Sequence, residues 1–123
     1  MGITINDLNT FNNLFNIDYG DKVVFFKFGT DWCIPCMELD KILVEVSNSI
    51  IYHICADNEN FESYLIDNKI YTFPFTLIKV GKKIKKVIGL HNLNDILKYI
   101  EDLKKEKYLN DILEYIEDLK KEN

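Results

Sequence analysis

Two cysteines separated by two residues, Cys33 and Cys36, follow a run of apolar residues at positions 23–28. The run has the composition of a buried β-strand, and residues 37–46 have the periodicity of a helix. Cys33 is therefore expected at a helix N-terminus, where the helix dipole and unpaired backbone N–H groups favour a thiolate. Cys36 lies one turn further in and is expected to be shielded. This arrangement predicts a reversible disulfide, with Cys33 as the nucleophile and Cys36 as the resolving thiol.

Two other uses of a Cys-x-x-Cys pair fit the sequence less well. A zinc site needs four ligands, and beyond the pair the chain offers only Cys55, His53 and His91, scattered singly. A structural disulfide that closes so short a loop removes little chain entropy and stabilises little. Cys55 lies in a predicted strand and is interpreted as a small core residue rather than a redox sensor. The prediction is redox chemistry at Cys33 and Cys36, with no metal and no organic cofactor.

Length and charge narrow the class of protein further. A chain of 123 residues suits one domain with a sizeable core. The net charge of -5 disfavours nucleic-acid binding, and the lysine-rich residues 82–86 are interpreted as the solvent side of an edge strand. Three cysteines, an odd number, suit a reducing compartment. Because the first residues lack a signal-peptide pattern and no apolar stretch reaches membrane-span length, a cytoplasmic protein that does not bind membranes is predicted.

The remaining patterns predict strands and helices that alternate along most of the chain. The expected order is strand, helix, strand, helix, strand, helix, strand, strand, helix. The strands at 75–80 and 84–88 are joined by a tight turn at Gly81 and Lys82, so they form an antiparallel hairpin. The earlier strand-helix-strand units favour parallel pairing with right-handed crossovers. The predicted fold class is α/β, a three-layer sandwich with a mixed central sheet flanked by helices.

Residues 3–105 resemble the thioredoxin family. The residues that carry the resemblance, in family order, are Phe28, Trp32, Cys33, Pro35, Cys36, Asp57, Pro74, Gly81 and Gly89. The resemblance implies a thioredoxin-like fold and a protein-disulfide oxidoreductase that reduces protein disulfides. It implies disulfide-containing proteins as substrates and a disulfide reductase as the electron donor. It also implies a cis peptide bond before Pro74, beside the cysteine pair.

The resemblance further implies an apolar groove for extended polypeptide beside the cysteines. Its residues, carried over by position, are Trp32, Ile34, Pro35, Phe73, Pro74, Gly89 and Leu90. Pro35 and Pro74, together with Lys27, are interpreted as residues that tune the site.

Lys27 is the main departure from the family. It stands where thioredoxins have a buried aspartate, and His53 stands where they have its partner lysine, so the acidic proton acceptor is expected to be missing. A cation at this place would stabilise a thiolate, and Lys27 or His53 would then make the disulfide more oxidising. The alternative is that Lys27 extends to solvent and touches neither sulfur. Lys27 supports one rival function, a disulfide-forming or isomerising enzyme. A second rival is a thioredoxin-like binding module, in which the groove and the C-terminal part of the chain hold a partner and the thiols are incidental.

The C-terminal part of the chain is a tandem duplication. Residues 93–106 recur at 109–122, with Lys98 changed to Glu114. The first copy is predicted to form the last helix of the fold, capped by Asn92. Its apolar residues are expected to face the sheet, namely Leu93, Ile96, Leu97, Ile100 and Leu103.

An offset of 16 residues turns a continuous helix by roughly 160°. The apolar residues of the second copy would then point away from the sheet, namely Leu109, Ile112, Leu113, Ile116 and Leu119. Such a stripe needs a cover, which a bend near Lys107, a homodimer or another protein could supply. No Gly or Pro marks a bend, so a continuous helix and self-association through the tail are predicted. The predicted organisation is a thioredoxin-like domain over residues 1–106 and a helical extension over 107–123.

Overall fold

The elements alternate in the predicted order. A computed structural model describes residues 2–121, so Met1, Glu122 and Asn123, at the ends of the two predicted domains, lie outside the described residues. The strands are β1 (Ile3–Ile5), β2 (Val23–Gly29), β3 (Ser49–Cys55), β4 (Phe75–Val80) and β5 (Lys83–Ile88). The helices are α1 (Leu8–Phe15), α2 (Ile34–Leu43), α3 (Glu62–Asp67), which follows a 3-10 turn (Glu59–Phe61), and α4 (Leu93–Lys121).

The five strands form one mixed sheet in the order β1-β3-β2-β4-β5. Strands β1, β3 and β2 are parallel to one another. Strand β4 runs antiparallel to β2, and β5 runs antiparallel to β4. The helical crossovers connect the parallel strands, and the hairpin adds the antiparallel edge. This sheet with helices on both faces confirms the predicted α/β sandwich, and β5 is an edge strand as the lysine pattern predicts.

Strand β2 lies at the centre of the sheet and is buried along its whole length. Its residues alternate between the two faces, as the pleat of a strand requires. Val24, Phe26 and Phe28 belong to the core that α1 and α3 cover. Val23 and Phe25 belong to the core that α2 and α4 cover. Burial on both faces explains why the sequence of β2 is apolar at every position except Lys27 and the terminal glycine.

Helix α2 begins at Ile34, three residues before the predicted start, and ends at Leu43, three residues before the predicted end. The early start has a local cause. Cys33 is the N-cap, and its Sγ accepts a hydrogen bond from the Cys36 N–H over 3.2 Å. Pro35 fits the first turn, because its missing N–H would have no partner inside the helix there.

Helix α4 is continuous from Leu93 to Lys121, through the first copy of the repeat and the described part of the second, as predicted. The side-chain oxygen of Asn92 accepts a hydrogen bond from the Asp95 N–H over 2.8 Å, which confirms the predicted cap. Most of the predicted sheet-facing residues pack there, namely Leu93, Ile96, Ile100 and Leu103. The prediction for Leu97 is wrong, since 44% of this residue is exposed. Leu97 lies about 100° around the helix from Ile96, and Tyr99 packs against the core instead.

The second copy of the repeat extends beyond the sheet. Every residue from 111 to 121 is exposed. Four apolar residues form what we call the tail stripe, namely Leu109, Ile112, Leu113 and Ile116. Their exposed fractions range from 37% at Ile112 to 59% at Leu109 and Leu113, and Leu119 is also 44% exposed. Polar residues of the same copy, Asn110, Asp111 and Glu114, line a cleft against the β4–β5 turn, so the predicted rotation of the apolar face away from the sheet is confirmed.

Phe11 is the centre of the core beneath α1 and is 1% exposed. Its ring packs against five other aromatic rings, those of Phe15, Phe26, Phe28, Phe61 and Tyr64. Edge-to-face and stacked pairs of this kind add to the free energy gained by burial alone.

Phe11→Ala is expected to lower the free energy of unfolding by about 3–5 kcal/mol, because it leaves a cavity between α1 and the sheet. Urea unfolding of the oxidised protein measures the change. Ile66→Ala on α3 is the control, since Ile66 is 55% exposed and its truncation should cost about 0.5 kcal/mol or less. Equal losses in the two variants would contradict this description of the core.

Candidate active site

The cysteine pair forms a disulfide where the turn after β2 enters helix α2. The two Cα atoms are 5.2 Å apart. The Cys33 N–H donates to the carbonyl of Thr30 over 3.3 Å, and the Met37 N–H donates to the carbonyl of Cys33 over 3.2 Å. Cys33 therefore stands at the positive end of the helix dipole, with its Sγ beside the N–H of Cys36. A thiolate at Cys33 is stabilised by both effects.

The two sulfurs are unequally shielded. Cys33 is 8% exposed and Cys36 is 1% exposed, so Cys36 is the more buried thiol, as predicted. Cys36 lies against the backbone of Gly29 at the end of β2. A Cβ at Gly29 would stand 2.9 Å from the Sγ of Cys36, closer than such atoms approach. A reacting group from outside can therefore reach Cys33 more easily than Cys36.

The loop before β4 and the turn after β5 meet beside the disulfide. The Phe73–Pro74 peptide bond is cis, which confirms the prediction. The carbonyl oxygen of Phe73 lies 3.9 Å from the Sγ of Cys33. The Gly89 N–H donates to the carbonyl of Pro74 over 2.7 Å, so the turn that carries Leu90 is fixed next to the cis bond.

The predicted groove residues divide into an exposed and a buried group. Trp32 is 73% exposed, Ile34 is 68% exposed, and Pro35 and Leu90 are exposed as well. The indole N–H of Trp32 donates to the carboxylate of Asp57 over 3.0 Å, which fixes the ring at the rim. The side chain of Phe73 is half-buried against the core, so its contribution beside Cys33 is its backbone carbonyl.

Comparison with curated proteins finds thioredoxins. The chain is 33% identical to thioredoxin Y2, chloroplastic, of Arabidopsis thaliana over 98 residues, which are 76% of this chain and 58% of that protein. It is 26% identical to thioredoxin-2, mitochondrial, of Schizosaccharomyces pombe over 88 residues, 69% of this chain and 66% of that protein. The chain thus spans little more than half the length of the chloroplast protein. No family model matches the chain.

Comparison with solved structures finds the same architecture. The thioredoxin of Trypanosoma brucei brucei superposes with a TM-score of 0.66 at 19% identity, covering 85% of this chain and 92% of that one. Oxidised thioredoxin O1 of Arabidopsis thaliana gives a TM-score of 0.67 at 20% identity, covering 82% of this chain and 96% of that one. The chain belongs to the thioredoxin family and has the thioredoxin fold. The resemblance seen in the sequence is confirmed.

Lys27 occupies the interior of this thioredoxin fold, behind Cys36. The residue is 5% exposed, and its ammonium group forms an ion pair with the carboxylate of Asp40 and lies 3.5 Å from the carbonyl oxygen of Cys36. The predicted alternative, in which Lys27 extends to solvent, is wrong. Asp40 of α2 brings a carboxylate to this place as the partner of Lys27. The expected absence of an acidic proton acceptor for the Cys36 thiol stays a prediction. Asp40 follows Cys36 by four residues, so both lie on the helix face that packs on the sheet.

His53 completes this group from the neighbouring strand. It pairs with Lys27 in the register of β3 and β2, and its Nδ1 lies 3.7 Å from the carboxylate of Asp40. Burial, and secondly the charge of Lys27, hold the pKa of His53 below its usual 6.5, although Asp40 opposes the shift. His53 is therefore neutral at pH 7, and the charged pair at this place is Lys27 with Asp40.

A cleft of about 400 Å³ opens beside this group, on the side of Cys36 away from the groove. Cys36, Asp40, His53 and Cys55 all line it. Cys55 is half-buried in its wall and belongs to neither core, so its interpretation as a core residue is wrong. The reason is position, because Cys55 pairs with Gly29 where both strands end.

Within residues 2–121, no group of three or more His, Cys, Asp and Glu side chains is arranged to hold a metal ion. Over the same residues, no helix combines the length and the apolar character that crossing a membrane requires.

The lowered pKa of His53 predicts a pH-dependent stability. Below its usual pKa of 6.5 the unfolded chain binds a proton at His53 that the folded protein does not, so stability falls as the pH drops through this window. His53→Gln should reduce the loss of unfolding free energy between about pH 7 and pH 5.5. Denaturant unfolding at both pH values measures it. His91→Gln, which removes the histidine between β5 and α4, is the control; a flatter pH profile in that variant alone would refute the assignment.

Proposed function

We propose that the protein is a dithiol–disulfide oxidoreductase that reduces disulfide bonds in other proteins. The observation that carries the proposal is the Cys33–Cys36 pair at the start of α2, with Cys36 shielded and Cys33 beside the cis-Pro74 loop. The similarity to chloroplast and mitochondrial thioredoxins supports it. A pair that only stabilised the fold would have no need of an open groove at its nucleophilic sulfur.

The reaction follows from the unequal sulfurs. The Cys33 thiolate attacks one sulfur of a substrate disulfide, breaking that bond and forming a mixed disulfide while the other substrate sulfur leaves as a thiolate. Cys36 then loses its proton and attacks the Sγ of Cys33. The Cys33–Cys36 disulfide forms and the second substrate thiolate leaves. Two electrons pass to the substrate, and the two substrate thiolates take up two protons in all.

The groove would hold the substrate as an extended polypeptide. Trp32, Ile34 and Leu90 supply exposed apolar surface. The carbonyl of Phe73 stands 3.9 Å from the sulfur of Cys33, so a peptide lying along this loop comes within reach of the nucleophile. We assign tuning roles to Pro35, which enters the first turn of α2, and to Pro74, which follows the Phe73 carbonyl beside Cys33.

A reductant of this kind needs an electron source and a suitable compartment. Each turnover leaves the Cys33–Cys36 disulfide, so a disulfide reductase would restore the dithiol. A reducing compartment such as the cytoplasm suits the role, since half-buried Cys55 stays a free thiol there. The relatives named above are chloroplastic and mitochondrial proteins.

Cys33→Ser is expected to lower the rate of insulin disulfide reduction by about a thousandfold or more, because the attacking sulfur is lost. Cys36→Ser should form the mixed disulfide with an activated aromatic disulfide and fail to release it, which intact mass spectrometry detects. Cys55→Ser is the matched control and should keep the parent rate. Insulin reduction by Cys33→Ser at the parent rate would refute the proposed function.

We further propose that residues 107–123 form a dimerisation extension and that its partner is a second copy of this chain. The first copy of the repeat packs its Ile and Leu face on an apolar surface, and the second copy carries the same face without such a surface. Two tail stripes that face each other would cover both, in the self-complementary manner of a two-fold interface. A membrane surface fits less well, because the rest of the helix surface carries four acidic residues, Asp111, Glu114, Glu117 and Asp118.

Leu113→Glu is expected to shift the protein from dimer to monomer, because it places a charge in the tail stripe. Sedimentation equilibrium over a range of concentrations measures the mass. Leu97→Glu is the matched control: Leu97 is the same residue of the first copy, is also exposed, and lies roughly 160° away around the helix. A parent protein that stays monomeric at every concentration would contradict the proposed dimer.

A further inference from the structure

Asp40 is a charged residue one turn along α2 from the resolving cysteine, and the reaction described above has no use for it. It projects from α2 onto Lys27, and its side chain is 39% exposed whereas that of Lys27 is 7% exposed. Lys27 also lies beside the sulfur. A Cβ at Gly29 would stand 2.9 Å from the Sγ of Cys36 and 3.6 Å from the Cε of Lys27, so sulfur and lysine border the same small space.

Asp40 is the residue that balances the charge of Lys27 at this space. The charged and titratable side chains that line the adjoining cleft are Lys27, Asp31, Asp40, His53, Cys36 and Cys55. Asp31 is exposed in the turn after β2, and among the described residues only Asp40 is in ion-pair contact with Lys27. His53 is neutral at pH 7 and neither cancels nor adds a charge. A buried ammonium without Asp40 would act on the sulfurs as a full positive charge in a medium of low dielectric.

We infer that Asp40 sets the redox poise of the Cys33–Cys36 pair by neutralising Lys27. Lys27 alone would stabilise the thiolate forms of the dithiol and so weaken the disulfide. With Asp40 in place that stabilisation is cancelled, and the disulfide forms more readily, which is what a reductant requires. Asp40 is thus a positioning residue that acts through Lys27, and the inference rests on the proposed function.

The test is the equilibrium of the pair with glutathione, in a Cys55→Ser background. Two glutathione thiols and the protein disulfide give one glutathione disulfide and the protein dithiol, so atoms and electrons balance. Asp40→Asn is expected to shift this equilibrium about tenfold toward the dithiol, a rise in reduction potential of about 30 mV. The asparagine keeps the size of the side chain and an oxygen that can accept from Lys27, so the fold is retained.

Three further variants separate charge from structure. Glu38→Gln removes the same charge from the exposed side of α2, where Glu38 contacts only Lys41 among the ion pairs of residues 2–121, and should leave the equilibrium within about twofold of the parent. Lys27→Met should shift the equilibrium toward the disulfide, because it leaves Asp40 as an uncompensated anion. Lys27→Met combined with Asp40→Asn should return it to the parent value.

The equilibria of the four variants together decide whether Asp40 acts through Lys27. A tenfold shift in Asp40→Asn that the double variant reverses supports the inference. An Asp40→Asn equilibrium equal to that of Glu38→Gln overturns it, and so does a shift that persists in the double variant, since the effect would then not pass through Lys27. The measurement uses no protein substrate, so failure to reduce insulin would count against the proposed function and leave the role of Asp40 standing on its own result.

Discussion

Helix α2 can approach the central strand closely because residue 29 is a glycine and has no side chain. With a Cβ there, the sulfur of Cys36 would be displaced by the contact of 2.9 Å, and the start of α2 would move with it. The close approach has two consequences. It shields Cys36 from solvent, and it brings Asp40, one turn further along α2, onto Lys27 of the strand below. The disulfide and the buried ion pair are therefore two results of one packing contact.

The parts of the site that can be recognised within a few consecutive residues are predicted correctly from the sequence. The Cys33–Cys36 spacing, the N-terminal position on a helix and Pro74 each identify themselves within a few residues, and all three are found as expected. Asp40 was not found, because its partner is 13 residues away and on another element. A search for a buried acid along the strands could not find it, whereas helical spacing from Cys36 to Asp40 was the available signal.

The repeat shows why burial cannot be predicted from the sequence of a segment alone. Nearly identical residues are enclosed in the first copy and exposed in the second, because only the first has a sheet surface beside it. Helical periodicity correctly predicted the rotation between the copies. It failed at Leu97, since periodicity defines an apolar face of a helix and the shape of the opposing sheet decides how wide an arc is covered. Tyr99, on the other side of the buried face, packs against the core, whereas Leu97 does not.

The position of the tail bears on whether association and catalysis can coexist. Strand β2 runs about 20 Å from Val23 to Gly29, and the disulfide lies at the Gly29 end. Lys107 lies over Gly81, in the turn that follows the partner of Val23 in β4, so α4 leaves the sheet at the other end. The tail stripe therefore begins at the end of the sheet away from the groove. Because the tail stripe and the groove are separate surfaces, a substitution in the stripe should change the mass of the protein in solution. It should leave the reactivity of Cys33 and Cys36 unchanged.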